Sequence, residues 1–201
     1  FHCLDLTPPD YYSKEERPVE ILRSPDVRVF VSRRKETMPY YFRNADGDEL
    51  HFVHRGRGML ETDYGVLAYE PGDYLVIPKG TTYRTVVEEG PGVVLIIETP
   101  ESFTLPERGL LGHHALFDPE VLAVPELPPP VKEGEQTEWE LRIKRDGTYT
   151  KVYYPFSPLD VVGWKGEVWP TKLNVRDFRP VTSPRYHLPP SVHATFQAGG
   201  V

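Results

Sequence analysis

The sequence has a single cysteine, no excess of basic residues and no long apolar segment. Cys3 cannot form a disulfide within the chain, which fits a reducing compartment such as the cytosol. The net charge of −7 at pH 7 argues against a nucleic-acid partner, because such proteins present a basic face. The longest apolar run is residues 93–97, far shorter than the roughly 18 residues of a membrane-spanning helix. We therefore expect neither a nucleic-acid partner nor a membrane partner.

Proline, by contrast, is abundant. The chain has 22 prolines among 201 residues, and they would interrupt most helices of ordinary length. Hydrophobic residues make up 39% of the chain and aromatic residues 12%, which is enough to build a core. Thirteen of the prolines follow residue 100, so we expect more loops in the second half than in the first. The composition predicts a folded protein with little helix.

Short β segments separated by turns fill residues 27–97. Turn signals rich in Gly, Pro and Asp recur about every 8–10 residues along this stretch. We predict two of the strands at residues 50–53 and 58–62, on either side of a tight turn at residues 55–58. Such spacing is typical of a β-sandwich, a barrel or a jelly roll.

The rest of the chain divides into a connector and a second β region. Prolines crowd the connector, and its one helix signal is a short helix beginning at Asp118. Beyond the connector, residues 139–144 and 148–153 alternate around Asp146-Gly147. This pattern is the clearest β-hairpin signal in the chain.

The sequence thus predicts four parts, namely an extended N-terminal segment (1–20), a first β domain (21–100), a proline-rich connector (101–135) and the beginning of a second β domain (136–201). Gly199-Gly200 resembles a turn leading into a further strand, so we expect a fragment of a longer polypeptide. Because such a fragment would leave strand edges unpaired, we also expect it to aggregate on its own.

A degenerate metal-binding motif lies in the first β domain. Residues 72–84 read GDYLVIPKGTTYR and resemble the second motif of the cupin family. Gly72, Pro78 and Gly80 fall on the pattern of that motif, but Tyr83 stands where the motif has its final His. Upstream, Glu49 falls where the metal-binding Glu of a cupin would be, and the two His that should precede it are absent.

The donors that remain are too few for a metal centre of the cupin type. An iron site needs about three or four nitrogen and oxygen ligands, and one carboxylate plus a tyrosine does not supply them. His51 and His54 look like substitutes, but a spacing of three places them on opposite faces of a strand. We expect both to be surface or cross-strand histidines. Residues 21–100 are therefore predicted to form a cupin jelly roll that binds no metal.

The second half of the chain resembles a more specific family. Residues 155–166 read PFSPLDVVGWKG and resemble a segment of the homogentisate 1,2-dioxygenases. Residues 187–197, which read HLPPSVHATFQ, are similar to the bacterial branch of that family, and collinear similarity extends back through residues 44–50. The likeness covers most of residues 25–201.

This resemblance implies a mainly β fold, a cupin-type jelly roll followed by the start of a second cupin-like β domain. Members of the family are cytosolic bicupin enzymes, often hexameric, that use Fe(II) and O₂ to convert homogentisate into maleylacetoacetate in tyrosine and phenylalanine catabolism. Their iron is held by two His and one Glu of the second cupin, which in family order lie beyond Val201. The resemblance thus implies a small aromatic substrate, a cytoplasmic homo-oligomer (a hexamer or a trimer), and inactivity of residues 1–201 alone.

One catalytic residue follows from the resemblance. The family has a His, thought to handle a phenolic proton as acid or base, at the position of His187. The role is chemically reasonable, because histidine titrates near neutral pH. His193 lies close by, and a shift in register would exchange the two residues.

Two other functions stay open from the sequence. The chain could belong to another bicupin ring-cleaving dioxygenase, for instance of the gentisate type. Alternatively, the loss of the cupin ligands favours a metal-free cupin that binds a ligand or serves in assembly.

Overall fold

The computed structural model describes residues 5–105, 119–126, 137–159, 168–177 and 195–199, and these are mainly β. Their twelve strands are β1 (Val19–Arg23), β2 (Arg28–Ser32), β3 (Tyr41–Asn44), β4 (Asp48–Thr62), β5 (Gly65–Tyr69), β6 (Asp73–Ile77), β7 (Thr82–Thr99), β8 (Phe103–Thr104), β9 (Trp139–Arg145), β10 (Thr148–Tyr154), β11 (Thr171–Asn174) and β12 (Gln197–Ala198). Ten of them form one sheet, and β8 pairs with β12 separately.

Two long strands organise this sheet into a jelly-roll barrel. β4 and β7 pair antiparallel along almost their whole length, from Asp48 opposite Thr99 to Thr62 opposite Tyr83. On its other edge β4 pairs first with β6 and then with β5, and β7 pairs first with β3 and then with β2. Because each long strand changes partner halfway, the sheet folds back on itself. The predicted cupin-type jelly roll is confirmed.

The prediction of a turn in the middle of β4 is wrong. The two strands expected at residues 50–53 and 58–62 are parts of one strand, and residues 55–58 form irregular pairs within it rather than a turn. Gly56 has φ +92°, a left-handed conformation that favours glycine, and the register with β7 shifts on both sides of it. The glycines that suggested a turn instead allow bulges where the long strand bends.

The predicted hairpin is confirmed, and it joins the same sheet. Asp146 and Gly147 both have positive φ (51° and 70°), as the turn between β9 and β10 requires. The Asp46 carboxylate accepts hydrogen bonds from the backbone N–H groups of both turn residues, at 2.5 and 2.9 Å. β9 then pairs parallel with β3, Tyr41 lying opposite Leu141.

The sheet thus extends across the predicted boundary between residues 135 and 136. β11 also joins it by pairing antiparallel with β6. Of the described strands assigned by sequence to the second β domain, β9 and β11 therefore hydrogen-bond to strands of the first, whereas β10 pairs with β9 and β12 with β8. The limits of the four parts themselves stay a prediction.

The N-terminal segment is fastened to the barrel by buried polar groups. It contains one short helix, α1 (Pro9–Tyr12), where an extended segment was expected. Within α1, Asp10 is buried and accepts hydrogen bonds from the Ser32 hydroxyl and the Arg33 N–H, at 2.5 and 3.1 Å. The Arg34 guanidinium donates to the backbone carbonyls of residues 14 and 16. These contacts hold the segment against β2 and the loop after it.

Apolar side chains fill the middle of the barrel, with Val53, Leu60, Leu67, Leu75 and Ile77 at their centre. A 3₁₀ helix at Pro119–Val121 lies in the predicted connector, and the residue expected to begin that helix, Asp118, is outside the described residues. None of the helices in the described part of the chain is long and apolar enough to cross a bilayer.

Leu141 tests whether the hairpin is an integral part of the barrel. Its side chain is 0% exposed, whereas that of Leu22 on β1 is 56% exposed. We expect Leu141→Ala to lower the free energy of unfolding by about 2–5 kcal/mol, and the matched Leu22→Ala to change it by about 0.5 kcal/mol or less. Urea denaturation of both variants measures the difference. Equal effects would contradict the placement of β9 in the core.

Candidate functional site

The inside of the barrel carries both an apolar cavity and a cluster of charged side chains. Alternate residues of β4 point inward, among them Glu49 and His51, and the same period brings Ile96 and Glu98 of β7 to the interior. The cavity between these strands has a volume of about 100 Å³. Residues from both motifs singled out in the first β domain meet here.

Glu49 is at the centre of a hydrogen-bond cluster. Its Oε1 accepts a hydrogen bond from Asn44 Nδ2 at 2.8 Å, and its Oε2 accepts one from the Tyr83 hydroxyl at 2.6 Å. His51 Nε2 lies 3.0 Å from the same Oε2. All four side chains are buried, so their polar groups depend on one another rather than on bulk water.

A second buried carboxylate, Glu98, adjoins this cluster. Its Oε2 accepts hydrogen bonds from Asn44 Nδ2, at 2.7 Å, and from the ammonium group of Lys144. Arg28 Nη1 lies 3.7 Å from the other oxygen of Glu98. Lys144, only 2% exposed, provides the opposite charge that a buried carboxylate needs.

The environment fixes which of these groups carries a proton. Burial alone would raise the pKa of Glu49, but the hydrogen bond and charge of His51, with the hydrogen bonds from Tyr83 and Asn44, bring that pKa below its usual value. Burial, reinforced by the adjacent Glu49 charge, raises the pKa of Tyr83 well above its usual value. Glu49 is therefore a carboxylate that accepts, and Tyr83 is a neutral phenol that donates.

The cluster, which occupies the metal-ligand positions of a cupin, does not fit a metal centre. Glu49 Oε2 and His51 Nε2 are 3.0 Å apart, about the separation of two neighbouring ligands on one metal. Tyr83 occupies the third position, but its phenol keeps the proton that a ligand would have to lose. In the described ranges, no group of three or more His, Cys, Asp or Glu side chains is placed to hold a metal ion.

The two histidines of β4 differ as their spacing predicts. His51 is 6% exposed and faces the interior, whereas His54 is exposed on the other side of the strand. Of the two roles expected for them, a surface position fits His54, while His51 is a buried member of the Glu49 cluster.

The catalytic prediction falls elsewhere in the chain. His187 and its alternative His193 both lie outside the described residues, so the role of His187 stays a prediction.

Sequence reasoning missed three members of the cluster, Asn44, Glu98 and Lys144. The sequence does contain a pattern that indicates an inward Glu98, because this residue is in phase with Ile96 on the inward face of an otherwise apolar run. The pattern around Lys144 is misleading, because charged residues that alternate with apolar ones along a hairpin usually face solvent. In β9 both faces are buried, Leu141 on one and Lys144 on the other.

A family profile and several known proteins similar to this chain carry the name homogentisate 1,2-dioxygenase. The sequence profile of a family described as "Homogentisate 1,2-dioxygenase N-terminal" matches residues 24–175. The homogentisate 1,2-dioxygenase of Rhodopseudomonas palustris (strain BisB5) is 36% identical over 154 residues, which cover 76% of this chain and 34% of that protein. The homogentisate 1,2-dioxygenase of Bradyrhizobium diazoefficiens is 34% identical over 160 residues, covering 79% and 35%.

A putative dioxygenase of Saccharolobus solfataricus is 34% identical over 162 residues, which cover 79% of this chain and 41% of that protein. The chain thus spans 34–41% of the length of these curated relatives. Among solved structures, a cupin-2 domain protein of Shewanella frigidimarina aligns with a TM-score of 0.38 and 22% identity, over 42% of this chain and 81% of that one.

Removing the Tyr83 hydroxyl tests whether this group stabilises the fold through the charge of Glu49. A carboxyl whose pKa is lowered by folding stabilises the protein above its unfolded pKa, and this contribution is lost as pH falls through the folded value. Tyr83→Phe removes one cause of that lowering, so we expect a loss of about 1–3 kcal/mol near neutral pH. The loss should shrink as pH falls below the ordinary glutamate range and through the lowered pKa of Glu49, where that carboxylate becomes protonated.

Thermal unfolding of the original chain and the variant across this pH range measures the effect. Tyr12→Phe is the matched control, because Tyr12 is 73% exposed. A difference that stays constant with pH would show that Tyr83 does not act through the Glu49 charge.

Tyr83→His tests why the cluster lacks a metal site. The imidazole would provide a third metal ligand beside Glu49 Oε2 and His51 Nε2, and it is shorter than a phenol, which leaves space for an ion. We expect the variant to bind about one Zn²⁺ per chain in calorimetric titration, and Tyr83→Phe to bind none at this position. Equal Zn²⁺ binding by the two variants would refute the assignment of Tyr83 as the missing ligand.

Proposed function

The chain belongs to the homogentisate 1,2-dioxygenase N-terminal family, and from this membership we propose that it is the N-terminal part of an enzyme that opens the ring of homogentisate with O₂. The observation that carries the proposal is the match over residues 24–175, together with relatives of the same name at 34–36% identity. The names of these relatives point to an oxidoreductase. The product would be maleylacetoacetate, formed in the cytoplasm during tyrosine and phenylalanine catabolism.

In this proposal the described barrel is not the place where iron binds. The polar groups of the Glu49 cluster hydrogen-bond to one another, and a neutral Tyr83 stands where a cupin has a metal ligand. The Fe(II) ligands, two His and one Glu by family resemblance, belong to the sequence that follows Val201 in the complete enzyme. Residues 1–201 alone would then be inactive, and the complete enzyme would assemble as a hexamer or a trimer.

The residue of this chain that we assign to the reaction is His187. Ring cleavage of a hydroquinone requires removal of a phenolic proton, and an imidazole is the side chain best suited to accept it near neutral pH. His193 is the alternative for the same role. The assignment rests on the resemblance of residues 187–197 to the bacterial members of the family.

Two alternatives remain open. An enzyme of the gentisate type would have the same bicupin architecture and a different ring substrate. A metal-free cupin that binds a ligand or serves in assembly is favoured by one observation, namely that the Glu49 cluster does not fit a metal. Oxygen uptake with each substrate and iron analysis of the complete protein separate these alternatives.

Activity measurements on the complete Fe(II)-loaded protein that contains this chain test the proposal. We expect O₂ consumption with homogentisate and little or none with gentisate. His187→Gln should lower kcat by about a hundredfold or more, with a smaller change in KM, because a general base acts mainly in the chemical step.

His54→Gln is the matched control, because His54 is exposed on β4, and its activity should equal that of the unchanged enzyme. A large loss in His193→Gln with normal activity in His187→Gln would transfer the role to His193. Turnover of gentisate alone, or a protein that contains no iron, would overturn the proposed function.

A further inference from the structure

The cavity in the barrel is larger than ordinary packing leaves. Protein interiors are packed about as closely as organic crystals, and voids larger than a water molecule are rare. A volume of about 100 Å³ could hold several waters or one small ring, since apolar cavities of the same order bind benzene. The chain therefore maintains a space the size of a small ligand beside the Glu49 cluster.

A row of aromatic rings borders this space. The Tyr149 and Phe42 rings are stacked, with centroids 6.2 Å apart and an angle of 28° between their planes. Phe42 then meets Tyr83 edge to face at 5.6 Å, and Tyr83 meets His51 at 5.8 Å. The row leads from Tyr149 to the Glu49 cluster, and its rings offer faces and edges that suit another aromatic ring.

A cation with spare hydrogen-bond donors stands at the Tyr149 end of the row. Arg17 is exposed, lines the cavity, and has its guanidinium carbon 3.7 Å from the centroid of the Tyr149 ring. This guanidinium also hydrogen-bonds with the Tyr149 hydroxyl. In the part of the chain that the structure describes, no carboxylate lies within 4.0 Å of it, and a guanidinium has five N–H donors. The other cations at the cavity are engaged, Lys144 with Glu98 and Arg34 with backbone carbonyls.

The charged groups that line the cavity differ in burial. Glu49 and Glu98 are buried, and an anionic ligand group beside them would be repelled and desolvated. Arg17 is exposed and can bind a carboxylate through two parallel hydrogen bonds. A molecule with a ring and one acidic group therefore fits best with its ring inside and its acidic group on Arg17.

We propose that this cavity binds a small aromatic carboxylate, with its ring beside Phe42 and Tyr149 and its carboxylate on Arg17. The site is separate from any iron centre and needs no metal. The proposed binding does not depend on the ring-cleavage activity proposed above. It gives a ligand-binding role to a barrel whose cupin ligand positions do not fit a metal.

The chain contains its own reporters for the experiment. It has two methionines, of which Met38 lines the cavity and Met59 does not. In the complete chain labelled with ¹³C-methyl methionine, phenylacetate should shift the Met38 signal in a saturable manner and leave the Met59 signal in place. Benzyl alcohol, a neutral probe of similar size, should bind about tenfold more weakly, because it lacks the charge-assisted hydrogen bonds.

Substitutions of two lining residues separate the carboxylate contact from the ring contact. Arg17→Gln should weaken phenylacetate binding about tenfold and leave benzyl alcohol binding unchanged. The control is Arg23→Gln, since Arg23 lies on β1 and pairs with Glu20 away from the cavity. Val94→Phe should fill the space and abolish binding of both probes. If Val94→Phe does not fold, the milder Val94→Leu takes its place and should weaken binding of both probes.

Three results would overturn the proposal. The first is the absence of any shift at Met38, or equal shifts at Met38 and Met59. The second is binding of benzyl alcohol as tight as that of phenylacetate. The third is unchanged phenylacetate binding in Arg17→Gln. Thermal unfolding of every variant verifies that a loss of binding is not a loss of fold.

Discussion

The side-chain amide of Asn44 is the contact on which the interior of the barrel depends. Its nitrogen donates to Glu49 on β4 and to Glu98 on β7, and so it joins the two long strands from a third. Its oxygen accepts from the backbone N–H of Asp46, shaping the turn that leads into β4. Without this amide two buried carboxylates would face each other with fewer donors, and a buried acceptor without a partner is costly.

This arrangement explains how a cupin barrel keeps charged residues in its interior without a metal. In a metal-binding cupin the ion itself would neutralise the carboxylate. Here Lys144 provides a fixed positive charge for Glu98, and a neutral phenol and an imidazole surround Glu49. The family membership and the chemistry of the barrel are therefore compatible: the fold is retained while its ligand positions have taken on a structural role.

Much of the fold could be predicted from the sequence, and less of the site. Turn signals indicated that residues 27–97 are rich in β strands, and Asp146-Gly147 identified the hairpin, because these features depend only on local conformation. The bulged path of β4 and the inward direction of Lys144 could not be predicted, because both depend on which strands become neighbours. The same limit applies to Asn44, whose two carboxylate partners are 5 and 54 residues away.

The parallel pairing of β3 with β9 has a consequence for how the protein is made. Tyr41 lies opposite Leu141, so β9, the partner of β3 on this edge, is synthesised about a hundred residues later. At about 5–20 residues per second, that delay during translation is roughly 5–20 s. Lys144 emerges only at the end of this interval, so Glu98 has been synthesised well before the ammonium group that it binds. Until residue 145 has been synthesised, the nascent chain therefore has an unpaired edge at β3 that a ribosome-associated chaperone could bind.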